Sequence, residues 1–371
     1  MARHPLNAIT IEGFTSIRSA RVPLGAMNVL VGANGAGKSN FIQALGLLSS
    51  IVDGELGLYV GLHGGSAAMS YKGHALSRIE MDLDLHPVRY RVRLIPATND
   101  ELIFDLEEIV RVEPEPYRRD LGQGHRESKL GQARGEHDKT AELLHTALKG
   151  CRVYHFDDTS RDAPVKRQAP TADNGALRDD AANLAPVLLR LQRSDRPEDK
   201  AAYRRLTGTI RLAAPFFKDF VLEDEYGNDR VRLRWLHKDL DGIFSAEQMS
   251  DGTLRFVCLA TLLMQPRLPG LVVLDEPELG LHPYAIVLLA DMLRQAAARS
   301  QVLIATQSVT LMNQFTVNDL IVVEHHDGSS SFARPNPEVL RDWLDEYSLG
   351  ELWEKNLIGG QPGSRSGILN D

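Results

Sequence analysis

A glycine-rich loop is the first stretch of the sequence whose residue types could do chemistry. Residues 32–39 read Gly-Ala-Asn-Gly-Ala-Gly-Lys-Ser, with the spacing G-x-x-x-x-G-K-S. Glycines let backbone N–H groups close around phosphate oxygens, and the lysine brings positive charge to the β and γ phosphates of a nucleotide. The alternative is a glycine turn that only joins a strand to a helix. We expect a nucleotide-binding set of Asn34, Gly35, Gly37, Lys38, Ser39 and Asn40, in which Lys38 is also catalytic.

Two adjacent carboxylates follow an apolar segment late in the chain. Residues 271–274 are Leu-Val-Val-Leu, and Asp275 and Glu276 come next. A site that transfers phosphoryl groups needs carboxylates near its magnesium ion and near its attacking water. Ser39 and Asp275 are the expected Mg²⁺ ligands, and Glu276 is expected to orient or deprotonate the water. Acids before a proline turn are common by themselves, so this prediction depends on the two motifs together.

Periodicity predicts the elements that must position these residues. Apolar and polar residues alternate over 8–14, and the apolar run 27–31 leads into the glycine loop. Apolar residues then recur at helical spacing up to Leu48, so the order is strand, loop, helix. Alternation over 79–94 predicts an antiparallel hairpin around His86-Pro87.

The predicted fold class is α/β. Strands 271–274, 302–305 and 320–323 are apolar throughout, which is typical of strands buried on both faces. We predict a P-loop NTPase core assembled from both ends of the chain, with an antiparallel β subdomain and a helical insertion. The predicted domains are residues 1–113 for the first part of the core and the β subdomain, 114–230 for a mostly helical insertion, 231–358 for the second part of the core, and 359–371 for a flexible tail.

With these motifs in this order, the sequence resembles the ABC ATPase superfamily. The branch it resembles contains SMC, RecF and overcoming-lysogenization-defect proteins and bacterial predicted AAA-family ATPases. The resemblance implies that Ser250-Asp251-Gly252-Thr253 is the signature motif. Ser250 and Gly252 would then contact the γ-phosphate of ATP held by a second subunit, which implies a homodimer around two ATP molecules.

Three further segments resemble the family. Residues 278–282 match its D-loop, where subunits touch, and residues 305–308 match its switch loop. The family's switch histidine is replaced by Gln307, a catalytic candidate that can hydrogen-bond a γ-phosphate but cannot become cationic. This replacement is compatible with slow hydrolysis and leaves the rate open. Phe14, Ser16 and Ile17 resemble the segment that leans on the adenine base.

The composition is that of an ordinary globular protein. The chain has 371 residues, a formal net charge of −8, 43% apolar residues and 25% charged residues. Its apolar runs fall short of the ~20 residues that cross a bilayer, and no signal-peptide pattern opens it. We expect a cytoplasmic protein without membrane contact. Cys151 and Cys258 lack zinc-ligand spacing and are expected to be core thiols.

Two groups of arginines are candidates for binding the phosphates of a nucleic acid. Side chains alternate along a strand, so Arg89, Arg91 and Arg93 are expected on one strand face, and Arg230, Arg232 and Arg234 on another. Neighbouring strands would form a positive ridge suited to phosphates. The other interpretation is two solvated faces paired with carboxylates.

The favoured hypothesis is a Mg²⁺-dependent ATPase that dimerises around two ATP molecules. It would control a DNA-related process, such as repair or anti-phage defence, or a separately encoded, nuclease-like effector. One alternative is a nucleotide-dependent switch or scaffold that does not hydrolyse ATP. A less favoured alternative is the ATPase subunit of a membrane transporter, because the insertion is large and no glutamine can be assigned to couple nucleotide to a membrane partner.

Overall fold

The computed structural model of the chain describes residues 5–72, 78–223 and 227–360. Its strands are β1 (Ala8–Phe14), β2 (Ile17–Pro23), β3 (Met27–Val31), β4 (Ile79–Leu85), β5 (Val88–Pro96), β6 (Leu102–Arg111), β7 (Tyr117–Asp120), β8 (Cys151–Tyr154), β9 (Ala169–Pro170), β10 (Phe217–Phe220), β11 (Arg230–Val231), β12 (Arg234–His237), β13 (Ile243–Ser245), β14 (Leu271–Asp275), β15 (Gln301–Thr306), β16 (Leu320–His326) and β17 (Ser329–Ala333).

The helices alternate with these strands along much of the chain. They are α1 (Lys38–Asp53), α2 (Leu56–Leu62), α3 (Gly65–Met69), α4 (Leu130–Gly135), α5 (Lys139–Lys149), α6 (Leu184–Arg193), α7 (Pro197–Ala213), α8 (Asp251–Met264), α9 (Pro283–Ala297), α10 (Val309–Met312), α11 (Pro337–Leu344) and α12 (Leu349–Glu354). None of the described helices has both the length and the apolar character that a membrane crossing requires.

The chain forms two compact units. The first contains the described residues of 1–153, 269–273 and 301–371, and the second contains those of 154–268 and 274–300. Each unit is therefore built from segments that are distant in the sequence. Both ends of the described chain lie in the first unit, but of the segment 231–358 that was predicted to complete the core, residues 231–268 and 274–300 lie in the second unit.

An antiparallel sheet occupies part of the first unit. Its described strands lie in the order β2-β1-β4-β5-β6-β7. Strands β4 and β5 pair from Ile79 with Leu94 to Leu85 with Val88, which confirms the hairpin predicted at His86-Pro87. Alternate side chains of both strands are buried, and each large apolar side chain buried in this way stabilises the fold by ~1.5–3 kcal/mol.

A second sheet in the first unit carries the glycine-rich loop after β3 and the loop after β15. Its described strands lie in the order β17-β16-β3-β15-β14-β8, and β15 and β16 both pair with β3 in parallel. Strands β3 and β15 are buried along their whole length, as is typical of strands covered on both faces. Because parallel strands end at the same edge of a sheet, the loops after Val31 and Thr306 emerge side by side.

The second unit is rich in helices. It contains α6 to α9, a sheet in the order β10-β12-β13, and the short pair of β9 with β11. Helix α8 buries an almost continuous apolar surface from Leu254 to Leu263. The chain is thus the mixed α/β protein that the sequence predicts, with both an antiparallel and a largely parallel sheet.

The segment predicted as a mostly helical insertion, residues 114–230, requires a correction. It contains helices α4 to α7, but it also contains strands β7 to β10. Strand β7 extends the antiparallel sheet and β8 extends the parallel one, so the units divide near Val153 rather than at 113 and 230. Short edge strands are stabilised by pairing with distant partners, which local sequence patterns do not reveal.

The two cysteines are buried free thiols, as predicted. Burial raises the pKa of both Cys151 and Cys258 to about 12. The reactive thiolate is therefore scarce at neutral pH. Both residues belong to the cores and not to a reactive site.

Candidate functional site

The glycine-rich loop links β3 to α1 and depends on its glycines for packing as well as conformation. Gly37 has φ 114°, and a Cβ there would lie 2.2 Å from Ser330 Oγ. A Cβ on Gly32 would lie 2.3 Å from the carbonyl oxygen of Val323. Larger residues at either position would displace the loop. The neighbouring strands β16 and β17 thus leave room only for glycine at positions 32 and 37.

The ammonium group of Lys38 is held inside the loop. Lys38 is only 5% exposed, and its Nζ donates to the carbonyl oxygens of Gly32, at 2.7 Å, and Ala33, at 2.9 Å. The side chain therefore turns back from the first residue of α1 across the loop that precedes it. This conformation places the positive charge of the Lys38 ammonium group beside the backbone carbonyl groups of the glycine-rich loop.

The geometry of the loop fits a phosphate chain. No side chain caps the N-terminus of α1, and the first N–H groups of a helix lack partners within the helix. A Cβ on Gly35 would meet no atom within 4 Å, so there is open space above the loop. Uncapped helical N–H groups, the positive end of the helix dipole and the Lys38 charge together form an anion site.

Gln307 and Asn34 are in direct contact. Gln307 follows β15, and its Nε2 donates to Asn34 Oδ1 at 2.5 Å. Both residues were predicted to belong to the site from separate motifs. The parallel pairing of β3 and β15 brings them together, so the loop after β15 covers one side of the glycine-rich loop.

A chain of hydroxyl groups joins the loop to two other segments, and the sequence did not predict it. Ser330 of β17 is 2% exposed, and its Oγ donates to the carbonyl oxygen of Ala36 at 2.6 Å. Ser330 Oγ also lies 2.7 Å from Ser16 Oγ, which accepts from Asn40 Nδ2 at 2.6 Å. The first turn of α1, the β1–β2 turn and β17 are therefore held together by these bonds.

An open cleft of about 620 Å³ lies beside the first turns of α1. Its polar lining includes Ser16, Asn40, Gln43, Tyr71 and Asp327. Asn40 directly follows Ser39 on α1, so the cleft continues from the end of the glycine-rich loop. Ser16, which resembled an adenine-contacting residue in the sequence, lies in its wall, whereas Phe14 and Ile17 are fully buried.

The end of the described chain contacts the same loop. The amide of Ala33 donates to the carbonyl oxygen of Gly360 at 2.7 Å, and the amide of Gly360 donates to Glu324 Oε1 at 3.0 Å. Ile358 is fully buried. The predicted flexible tail was therefore placed too early: Gly359 and Gly360 are packed in the first unit, and 361–371 lie outside the described residues.

The predicted carboxylates lie at the end of β14. Asp275 is the last residue of that strand, and Glu276 has φ 42°. This left-handed backbone conformation costs a non-glycine residue ~1–3 kcal/mol and is concentrated at functional sites. The amide of Leu279 donates to the carbonyl oxygen of Glu276 at 3.1 Å, which closes the turn after the strand.

The predicted signature motif begins α8 in the second unit. Ser250 caps the helix by accepting from the amide of Thr253 at 3.2 Å. Gly252 faces the predicted D-loop, because a Cβ on it would lie 2.3 Å from the carbonyl oxygen of Gly280. The segments predicted to be the signature motif and the D-loop are therefore packed against each other through backbone atoms.

Arg255, which the sequence analysis did not single out, ties the same two segments together. It donates to the carbonyl oxygens of Leu279, of Phe156 at 3.0 Å and of Asp157 at 3.1 Å. Arginine has five N–H donors and no acceptor, so a single side chain can bind three carbonyl oxygens on two backbone segments. Its position one turn into α8 was the only available signal in the sequence.

The two arginine groups do not lie on neighbouring strands of one sheet, which the positive-ridge interpretation required. Each of the β5 arginines is paired: Arg89 with Asp84 at 3.5 Å, Arg91 with Glu108 at 2.8 Å, and Arg93 with Glu80 at 2.6 Å. The second group does not share one strand, because β11 ends at Val231 and β12 begins at Arg234. Strands β5, β11 and β12 also belong to three different sheets, so Arg230, Arg232 and Arg234 do not extend the β5 face.

The chain is similar to known proteins in sequence and in fold. A family model described as "AAA domain, putative AbiEii toxin, Type IV TA system" matches residues 27–313. A curated relative, the DNA replication and repair protein RecF of Renibacterium salmoninarum, is 24% identical over 320 residues. The match covers 74% of this chain and 75% of that protein.

Two solved structures are similar to this chain. One is an SmcHead bound to the C-winged helix domain of ScpA, with a TM-score of 0.53, 14% identity and coverage of 94% of this chain and 99% of that chain. The other is an Smc head domain bound to the C-terminal domain of ScpA, derived from Pyrococcus furiosus, with a TM-score of 0.54, 14% identity and coverage of 92% and 99%. At this identity the likeness shows a common fold.

Proposed function

The chain belongs to the AAA_21 family of AAA-domain proteins, and we propose that it binds and hydrolyses ATP with Mg²⁺ as a dimer. The observation that carries the proposal is the loop around Lys38. Its uncapped helix N-terminus and its lysine fit a triphosphate, and its contact with Gln307 adds an amide beside it.

Each residue of the loop has a role in this proposal. The backbone N–H groups of Gly35, Gly37 and Lys38 bind the β-phosphate region, and the Lys38 ammonium group binds the β and γ phosphates. Gln307 and Asn34 hydrogen-bond near the γ-phosphate as neutral amides. The N–H groups of Ser39 and Asn40 face the α-phosphate, so the nucleoside extends into the cleft lined by Ser16 and Asn40.

In this proposal, two carboxylates and one hydroxyl group bind Mg²⁺ and activate the attacking water. Ser39 and Asp275 would hold Mg²⁺, which neutralises charge on the phosphates when bound. Ser39 is exposed at the start of α1, and oxygen donors are the ligands that Mg²⁺ prefers. Glu276 orients the attacking water or takes up its proton. Its strained backbone supports a functional role over a structural one.

A second copy of the chain is proposed to complete the site. Ser250 and Gly252 would face the ATP bound by the other subunit, with the N-terminus of α8 directed at its γ-phosphate. The D-loop residue Leu279 is 55% exposed, and an exposed large apolar side chain next to a functional motif supports a contact surface. The backbone packing of Gly252 against Gly280 would couple this surface to the signature motif.

The process that the ATPase controls is proposed from its relatives. One relative is named for DNA replication and repair, and the similar Smc heads are bound to domains of another protein. We propose that the ATP-dependent dimer controls a DNA-related process or a separately encoded effector. The arginines of β5 do not support nucleic-acid binding, because they are paired with carboxylates.

A non-hydrolysing switch is the second candidate, and Gln307 is the observation that favours it. A neutral amide cannot supply the positive charge that a protonated histidine would offer to the γ-phosphate. Slow turnover would then leave ATP binding alone to set the state of the dimer.

The experiment that tests the proposal compares wild type, Lys38→Ala and Lys355→Ala. ATP binding and phosphate release are measured with Mg²⁺ and again with EDTA. We expect Lys38→Ala to lose binding by about 10²-fold or more because its charge is removed from a buried position, and the exposed-surface control Lys355→Ala to behave as wild type. Wild-type binding that does not depend on Lys38 would contradict the proposal.

A further inference from the structure

The turn between β16 and β17 forms part of the wall of the cleft beside α1. Asp327 and Gly328 make up this turn, and both line the cleft. No family motif reaches them, and they lie almost 290 residues after the glycine-rich loop in the sequence. The question is what an acidic residue does at this position.

The hairpin β16–β17, which carries this turn, is hydrogen-bonded to the glycine-rich loop and to the β1–β2 turn. The amide of Ser330 donates to the carbonyl oxygen of Ser16 at 2.8 Å. The hydroxyl of Ser330 donates to the carbonyl oxygen of Ala36 at 2.6 Å, and it leaves room only for glycine at position 37. Asp327 lies three residues before this anchor, so the position of its backbone follows that of the loop.

The turn itself is tight and keeps Asp327 in one place. His326 pairs with Ser329, and Asp327 and Gly328 both have positive φ angles, 49° and 78°. This is the two-residue turn in which Asp-Gly and Asn-Gly are favoured. An aspartate here satisfies the turn, but asparagine would satisfy it equally well, so the turn does not require the negative charge.

The charge of Asp327 determines which part of a nucleotide it can face. Its carboxylate is exposed on the cleft wall, and an ionised carboxylate only accepts hydrogen bonds. It repels phosphates, but it matches the donors of a nucleoside, which are the ribose hydroxyls and the exocyclic amine of adenine. The cleft lies on the Asn40 side of the loop, where the nucleoside extends in the proposed function.

We propose that Asp327 is a specificity-determining residue that accepts a hydrogen bond from a donor group of the bound nucleoside. This inference rests on the proposed function, since it requires ATP in the glycine-rich loop. The hairpin β16–β17 then has two roles at one site. Ser330 hydrogen-bonds the glycine-rich loop, and Asp327 accepts a hydrogen bond from the nucleoside. Charge-assisted hydrogen bonds of this kind distinguish ligands by about tenfold or more.

The test measures dissociation constants for ATP, 2′-deoxyATP, 3′-deoxyATP and inosine triphosphate with Mg²⁺. The proteins are wild type, Asp327→Asn, and Asp345→Asn as an exposed control in the same unit. Asparagine keeps the turn and removes the charge. We expect wild type and the control to prefer ATP by about tenfold over the analogue that lacks the contacted donor. We expect Asp327→Asn to reduce that preference to about twofold, with unchanged affinity for inorganic tripolyphosphate.

The analogue that discriminates identifies the donor, because the deoxy compounds lack a ribose hydroxyl and inosine triphosphate lacks the amine. An Asp327→Asn protein that keeps the full wild-type preference would overturn the inference. A wild type that binds all four nucleotides equally would also overturn it, while Lys38-dependent binding would leave the proposed function standing. Absence of any nucleotide binding would overturn both.

Discussion

Gln307 Nε2 donates a hydrogen bond to Asn34 Oδ1 at 2.5 Å, although the two residues are 273 positions apart. The contact joins the loop after β15 to the loop after β3, since these strands pair in parallel. Asn34 uses its oxygen as the acceptor, so its amide donors point elsewhere. The two side-chain amides therefore place uncharged hydrogen-bond donors at the edge of the glycine-rich loop.

The first prediction concerns the contact between Gln307 and Asn34. Gln307→Glu replaces a donor by a negative charge beside the proposed γ-phosphate position, so we expect ATP affinity to fall by about tenfold or more while ADP affinity changes less. Titration calorimetry with both nucleotides measures the difference. Gln123→Glu, which adds the same charge at an exposed position, should bind both nucleotides as wild type does. Equal losses for ATP and ADP would mean that Gln307 does not face the γ-phosphate.

A second prediction concerns the packing of the proposed signature motif on the proposed D-loop. Gly252→Ala puts a Cβ 2.3 Å from the carbonyl oxygen of Gly280, and backbone must move to admit it. We expect a loss of ~1–3 kcal/mol in the free energy of unfolding, as for overpacked cores, and weaker ATP-dependent dimerisation. Urea unfolding and light scattering measure the two effects.

Gly208→Ala is the matched control for this substitution. Gly208 lies within α7 of the same unit, and a Cβ there meets no atom within 4 Å. Alanine should stabilise the helix by up to ~1 kcal/mol. If Gly252→Ala were as harmless as Gly208→Ala, the contact between the signature motif and the D-loop would not be tight.

A third prediction separates the two interpretations of the β5 arginines. Arg91 pairs with Glu108 at 2.8 Å, and the Glu108 side chain is fully buried. Arg91→Met leaves this carboxylate with Arg118 as its remaining ion-pair partner, so we expect a loss of ~1–3 kcal/mol in the free energy of unfolding. DNA affinity, measured by fluorescence anisotropy at two salt concentrations, should be the same as that of the exposed control Arg18→Met. A reduced salt dependence of DNA binding with unchanged stability would instead restore the positive-ridge hypothesis.

The sequence predicted those features that depend on local patterns. The alternation over β4 and β5 predicted their hairpin, and the spacing of Gly32, Gly37 and Lys38 predicted the loop. The arginines at 230, 232 and 234 were misread because alternation alone does not show that a strand ends at Val231. An apparent single face was in fact divided between two short strands.

Contacts between distant segments could not be predicted in the same way. Ser330 fixes Gly37 from a different strand, and Gly360 binds Ala33 from the far end of the described chain. Serine and glycine are common residues, and neither stands in a pattern that indicates its partner. Such positions become recognisable only when sheet order has brought their strands together.

ATP hydrolysis through Glu276 is tested by measuring the ATP turnover and the solution mass of wild type and Glu276→Gln, each with and without ATP, with Glu354→Gln as an exposed control. If Glu276 activates water, its glutamine variant should bind ATP but lose turnover by about 10²-fold or more, and it should persist as an ATP-bound dimer. Wild type and the control should turn over ATP and return to the smaller species. Equal turnover in Glu276→Gln and wild type would mean that Glu276 does not activate the attacking water.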